Sequence, residues 1–106
     1  EMMDSFTALA GSGPAYFFHM CTLLSEKAQE MGFSQEQAEK MAKEVCIASA
    51  LLVIQDSRSA SEWTKAVASK GGTTEAGLKL AEELGIATNL KKIFEKSIER
   101  AKEMEK

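Results

Sequence analysis

Ser69, Lys70, Gly71, Gly72, Thr73, Thr74, Glu75, Ala76, Gly77 and Leu78 form the stretch of this chain best suited to chemistry. A helical pattern runs into it, two glycines interrupt that pattern, two threonines follow, and a second helical pattern begins. The opening turn of a helix leaves backbone N–H groups without intrahelical acceptors, and the helix dipole adds partial positive charge there. Glycines remove side chains that would block a ligand's approach. The Thr73 and Thr74 hydroxyls can cap the helix or hydrogen-bond a ligand. A small carboxylate or phosphate fits such a cup. The same residues also serve an ordinary helix–turn–helix corner with a threonine cap, and the loop by itself leaves both readings open. It is not the phosphate-binding P-loop, in which lysine follows the second glycine, because Lys70 precedes both glycines.

Other chemistry is sparse. His19, the only histidine, lies among the aromatics Tyr16, Phe17 and Phe18, which predicts a packed or interfacial position rather than acid–base work. Cys21 and Cys46 each sit inside an apolar helical run without ligand-like spacing, so two buried reduced thiols are expected and no metal site is assigned. There is no nucleophile-elbow pattern. Gly11, Ser12, Gly13 and Pro14 lead into a helix instead of following a strand, so they are not a dinucleotide fingerprint. No catalytic residue is assigned.

Composition narrows the class. The chain has 106 residues, 44% of them hydrophobic, enough for one domain with a modest core. With 13 basic and 16 acidic residues the net charge is -3, and no basic block is present, which argues against nucleic acid. The longest apolar run, Val45 to Ile54, falls short of the ~20 residues that span a bilayer. No membrane association is expected, no signal peptide is visible, and a soluble cytoplasmic protein is predicted.

The elements that must position the loop read as helices. Residues 1–10 read as a mostly non-helical entry segment, followed by a Gly-Ser-Gly-Pro turn in which Ser12 caps and Pro14 occupies the first helical turn. A first helix from Pro14 to Met31 should stop at Gly32. Ser34 and Gln37 form a capping box for a second helix that turns Ala38, Met41, Ala42 and Val45 inward. Its later half, Val45 to Ile54, is apolar all round and demands cover from other helices, which points to a second copy of the chain. Ser59 with Glu62, or Ser61, opens a short third helix carrying Trp63, Ala66 and Val67. A fourth helix runs from Thr73 or Thr74 to Leu84, and Gly77 inside it suggests close approach of another backbone. Thr88 caps a fifth, with Leu90, Ile93, Phe94, Ser97, Ile98, Ala101 and Met104 on one face and charges on the other. An all-α fold of about five helices is predicted.

Taken together, residues 11–16 (Gly-Ser-Gly-Pro-Ala-Tyr) and 69–78 resemble the two motifs of the C-terminal domain of pyrroline-5-carboxylate reductase. That domain opens with Gly-Ser-Gly-Pro-Ala-Tyr, and its substrate loop reads Ser-Pro-Gly-Gly-Thr-Thr before an apolar helix with a glycine. The resemblance covers nearly the whole chain. It implies a helical domain like that at the C-terminus of 6-phosphogluconate dehydrogenase, interleaved with a second copy as a homodimer and in some members assembled into decamers. It implies an NAD(P)H-dependent reduction of 1-pyrroline-5-carboxylate to L-proline, with the cofactor held mainly by an N-terminal Rossmann domain absent from this chain. Residues 1–10 would end the interdomain segment, and residues 11–106 would be the dimerisation and substrate-loop domain.

On this resemblance Ser69, Gly71, Gly72, Thr73 and Thr74 bind the substrate, with backbone N–H groups on its carboxylate and the Thr74 hydroxyl near the ring nitrogen. Pro14 lies near the nicotinamide end of the cleft. The fragment alone would be inactive. The chain departs from the family at Lys70 and Ala60, where proline is usual, and at Trp63, where leucine is usual. Ala48 replaces a usual glycine, and Thr22 takes a position where many bacterial members carry an acid. Lys70 adds a cation beside the anion cup. The alternatives are a non-catalytic helical interaction module and a related oxidoreductase for another small imino or keto acid.

Overall fold

A computed structural model describes residues 2–105, which are helical with no strand among them. Five helices follow in order: α1 (Met2–Glu30), α2 (Gln35–Val53), α3 (Ala60–Val67), α4 (Thr73–Glu83) and α5 (Ile86–Met104). The chain divides into two compact units. One comprises the residues up to Pro14 together with Lys65 onward, and the other comprises Ala15–Thr64.

Helix α1 begins at Met2 rather than at Pro14, so the expected non-helical entry and the Ser12 cap do not form; Glu1 lies outside the described residues. The reason is a helical face that the glycines obscure in the sequence. Ser5, Ala8, Leu9 and Ser12 are half-buried at a three–four spacing, Asp4 sits in the first turn, and the Thr7 hydroxyl donates to the Met3 carbonyl at 3.0 Å. Pro14 removes one backbone bond, the one to the Ala10 carbonyl, and a helix of 29 residues keeps turns on both sides of that gap.

In the Ala15–Thr64 unit, the second half of α1 and α2 form a helical hairpin. Gly32, at φ 108°, ends α1. The Phe33 N–H bonds the Ala28 carbonyl at 3.2 Å and the Gly32 N–H bonds Gln29 at 3.0 Å, which is the Schellman arrangement. The expected capping box opens α2, with Gln37 N–H on the Ser34 hydroxyl and Ser34 N–H on the Gln37 side chain, each at 3.1 Å. Small residues fill the interior: Ser25 and Ala28 of α1, and Ala38 and Ala42 of α2, are buried. Between the helices lies a groove of about 620 Å³, lined by Phe18, Cys21 and Thr22 on one side and by Ala42, Cys46 and Ile47 on the other.

The apolar half of α2 is open to solvent within the chain. Ile47 is 61% exposed, Leu51 59% and Ile54 75%, and Phe17 and Phe18 of α1 are as open. Met41 and Val45 do not reach the interior positions expected of them. Cys46 is exposed and Cys21 half-buried, both as free thiols, so neither is enclosed as expected, and His19, expected to be packed or interfacial, is exposed within the chain. The large apolar side chains among them are exposed within the Ala15–Thr64 unit.

In the other unit α4 and α5 pack together. Gly85, with φ 70°, ends one and serves as N-cap of the other, and the Asn89 N–H bonds its carbonyl at 3.0 Å. Helix α5 therefore starts at Ile86, and Thr88 falls inside its first turn instead of capping it. Leu90, Phe94, Ser97, Ile98 and Ala101 are half-buried along the expected face, whereas Ile93 and Met104 stay exposed. The Lys96–Glu99 and Arg100–Glu103 pairs lie on the solvated side, where each is worth a few tenths of a kcal/mol. A Cβ placed on Gly77 meets nothing within 4 Å, so the expected close backbone neighbour is not found among the described residues.

Candidate anion-binding site

The turn from Ser69 to Gly72 is closed by a 3.0 Å bond from the Gly72 N–H to the Ser69 carbonyl. Its third residue, Gly71, has φ 75°, a left-handed conformation that side chains disfavour. Lys70 takes the second position of this turn, where a proline-like φ is favoured, and its side chain is exposed. Gly72 then acts as N-cap of α4, with no side chain to satisfy the first turn. Neither threonine caps the helix. The first intrahelical bond runs from the Ala76 N–H to the Gly72 carbonyl at 3.2 Å. Helix geometry therefore turns the N–H groups of Thr73, Thr74 and Glu75 outward, at the positive end of the dipole.

Ser69, Gly71, Gly72, Thr73 and Thr74 thus lie together around one helix start, with Gly72 and Thr74 half-buried and the others exposed. Pro14 sits exposed inside α1 and contributes nothing to the loop's hydrogen bonding. Glu75, given no role from the sequence, takes part: its carboxylate accepts from the Gly71 N–H at 2.8 Å. Its place three residues after the N-cap was the available signal, since an acid there commonly reaches back to the helix start.

A second polar cluster lies in the Ala15–Thr64 unit. Arg58 stacks over Trp63, 3.8 Å from the ring centroid, and grips Asp56 with Nη2 at 2.7 Å and Nε at 3.1 Å. The Arg58 side-chain bonds lower the Asp56 carboxyl below its ordinary range. The Ser59 N–H lowers Glu62 through a 2.8 Å bond, and the Ser59 hydroxyl returns the contact as a capping box that opens α3. Ser59, not Ser61, is therefore the cap. The Trp63 Nε1 is buried without a partner among the described residues. No group of three or more His, Cys, Asp or Glu side chains among the described residues could hold a metal ion. No helix there is long and apolar enough to cross a membrane.

The described residues thus form a helical chain with a glycine-rich turn at one helix start. Residues 1–104 match the family described as pyrroline-5-carboxylate reductase dimerisation, and the chain belongs to that family. It is 36% identical over 104 residues to a pyrroline-5-carboxylate reductase of Aquifex aeolicus, covering 98% of this chain and 39% of that protein. It is 28% identical over 102 residues to pyrroline-5-carboxylate reductase 2 of Bacillus subtilis, covering 96% of this chain and 37% of that one. The Streptococcus pyogenes 1-pyrroline-5-carboxylate reductase superposes with a TM-score of 0.87 at 35% identity, over 94% of this chain and 39% of that structure. The NADP-bound Plasmodium falciparum pyrroline carboxylate reductase superposes with a TM-score of 0.88 at 25% identity, over 96% and 39%. The chain spans about two fifths of the length of these relatives.

Proposed function

We propose that this chain is the C-terminal, self-associating part of an NAD(P)H-dependent pyrroline-5-carboxylate reductase, and that the Ser69–Thr74 turn holds the substrate carboxylate. The observation that carries this reading is the bare N-cap: glycine at position 72 leaves the first-turn amides of α4 open to an outside anion. Family membership over residues 1–104 supplies the substrate class.

In this account the amides of Thr73 and Thr74 hold the carboxylate and fix the ring, and the Thr74 hydroxyl reaches the ring nitrogen. A nicotinamide held elsewhere in the polypeptide would supply hydride for the imine carbon, with a proton from water going to the ring nitrogen to give L-proline. The chain's share is position and electrostatics, in keeping with the absence of an assigned acid or base. The described residues contain no strand, so a strand–glycine turn–helix unit for the nucleotide would lie elsewhere in the polypeptide. Pro14, which has no N–H, would offer that cofactor only an apolar contact. The exposed apolar face of α1 and α2 supports homodimerisation, because a face holding Phe17, Phe18, Ile47 and Leu51 is costly to leave in water.

The test is steady-state oxidation of NAD(P)H by 1-pyrroline-5-carboxylate, using the full-length polypeptide that the gene encodes. Turnover with this substrate is the expected result. A folded, nucleotide-binding polypeptide without turnover would overturn it, and would favour the module or another imino or keto acid.

A further inference from the structure

The Gly71 N–H donates to the Glu75 carboxylate at 2.8 Å. The chain thus places an anion of its own at the turn where a substrate carboxylate is proposed to bind. We infer that Glu75 is an internal competitor for this cup and sets its affinity; the inference rests on reading the loop as the carboxylate site.

The donors are unevenly used. The Gly72 N–H is committed to closing the turn on Ser69, so it cannot serve a ligand. The Gly71 N–H of the turn is held by Glu75. Glu75 also lies in the first turn of α4, where its negative charge interacts favourably with the helix dipole. A carboxylate arriving at the Thr73 and Thr74 amides meets a like charge in the same first turn, and it cannot add the Gly71 N–H without displacing Glu75. Glu75 is exposed, and its contact is a single hydrogen bond four residues back along the chain. Turning it out to water therefore costs little, so it lowers affinity without closing the site. Ligands with two negative charges are disfavoured more than those with one.

The test titrates L-proline into the full-length polypeptide that the gene encodes and follows the Gly71, Gly72 and Thr74 amide signals by NMR. Wild type is compared with Glu75→Gln, Glu75→Ala and Thr74→Val, and the same spectra report whether each variant is folded. Glu75→Gln keeps an acceptor for Gly71 and removes the charge. Both Glu75 variants are expected to bind roughly two- to five-fold more tightly, the range of an exposed charge at a helix start. Equal affinity in Glu75→Gln, or weaker binding in Glu75→Ala, would overturn the inference and leave Glu75 as a brace for the turn. If Thr74→Val weakens binding while the Glu75 variants do not change, only the inference falls. If none of the four proteins binds, or Thr74→Val binds as wild type does, the reading of the loop falls and the inference with it.

Discussion

The Ser69 hydroxyl fills the space that a side chain on Gly72 would need. A Cβ built on Gly72 would lie 2.5 Å from the Ser69 Oγ and 3.2 Å from the Ser69 carbonyl oxygen. Turn and helix start are therefore locked together by the absence of one carbon atom, while the first-turn amides of α4 remain open.

Gly72→Ala must displace the Ser69 hydroxyl and places a poor cap at the head of α4, so a loss of about 1 kcal/mol of stability is expected. Gly77→Ala has free space around it and should gain about 0.5–1 kcal/mol through helix propensity. Thermal melts of both variants at one protein concentration check the opposite signs. A loss at Gly77 would show that a neighbour from outside the chain approaches there.

Lys70 occupies the turn position that favours a proline-like backbone, so Lys70→Pro should stabilise by about 0.4–1 kcal/mol through the unfolded chain. Urea midpoints of the two proteins measure this. A lower midpoint for the variant would mean that the Lys70 backbone does not hold the φ that proline requires.

Glu62 and Asp56 are held below the ordinary carboxylate range by Ser59 and Arg58 respectively. A carboxyl lowered in the folded state contributes fully above its unfolded value, about 4. That contribution fades as the pH falls through the folded value. The start of α3 should therefore loosen in acid, and Trp63, the single tryptophan, reports it through fluorescence. Glu62→Ala should carry a smaller acid transition. Superimposable pH profiles for the two proteins would remove the capping box as its source.

Leu51 is 59% exposed, in the apolar half of α2. Leu51→Glu should cost a separate chain little, yet place an unpaired charge in an interface between copies. Burying such a charge costs several kcal/mol. Light scattering at micromolar concentration should show wild type as a dimer or larger and the variant shifted toward monomer. A monomeric wild type would contradict the proposed self-association.

The helices and most of their ends were legible where punctuation is strong: Gly32, the Ser34–Gln37 box, and Ser59 with Glu62. The start of α1 was not, because two glycines and a proline in four consecutive residues resemble a turn when read locally, while the half-burial of Ser5, Ala8, Leu9 and Ser12 shows only in the folded chain. Thr88 misled for a related reason: Gly85 in a left-handed conformation had already started α5. At the site, the turn residues announced themselves by type, whereas the signal at Glu75 could be read only once Gly72, and not a threonine, was known to be the N-cap. The openness of Cys46, Ile47 and Leu51 was not legible, because an apolar run predicts burial without saying what buries it.

The most direct test of the central claim is the Michaelis constant for 1-pyrroline-5-carboxylate in the full-length polypeptide, wild type against Thr74→Val. This change keeps the shape of the side chain and removes the hydroxyl proposed to reach the ring nitrogen. The account predicts a loss of about 1–3 kcal/mol in kcat/KM, the scale of a hydrogen bond left unmade, with nucleotide binding unchanged. Unchanged kcat and KM would contradict it and take Thr74 out of the substrate site.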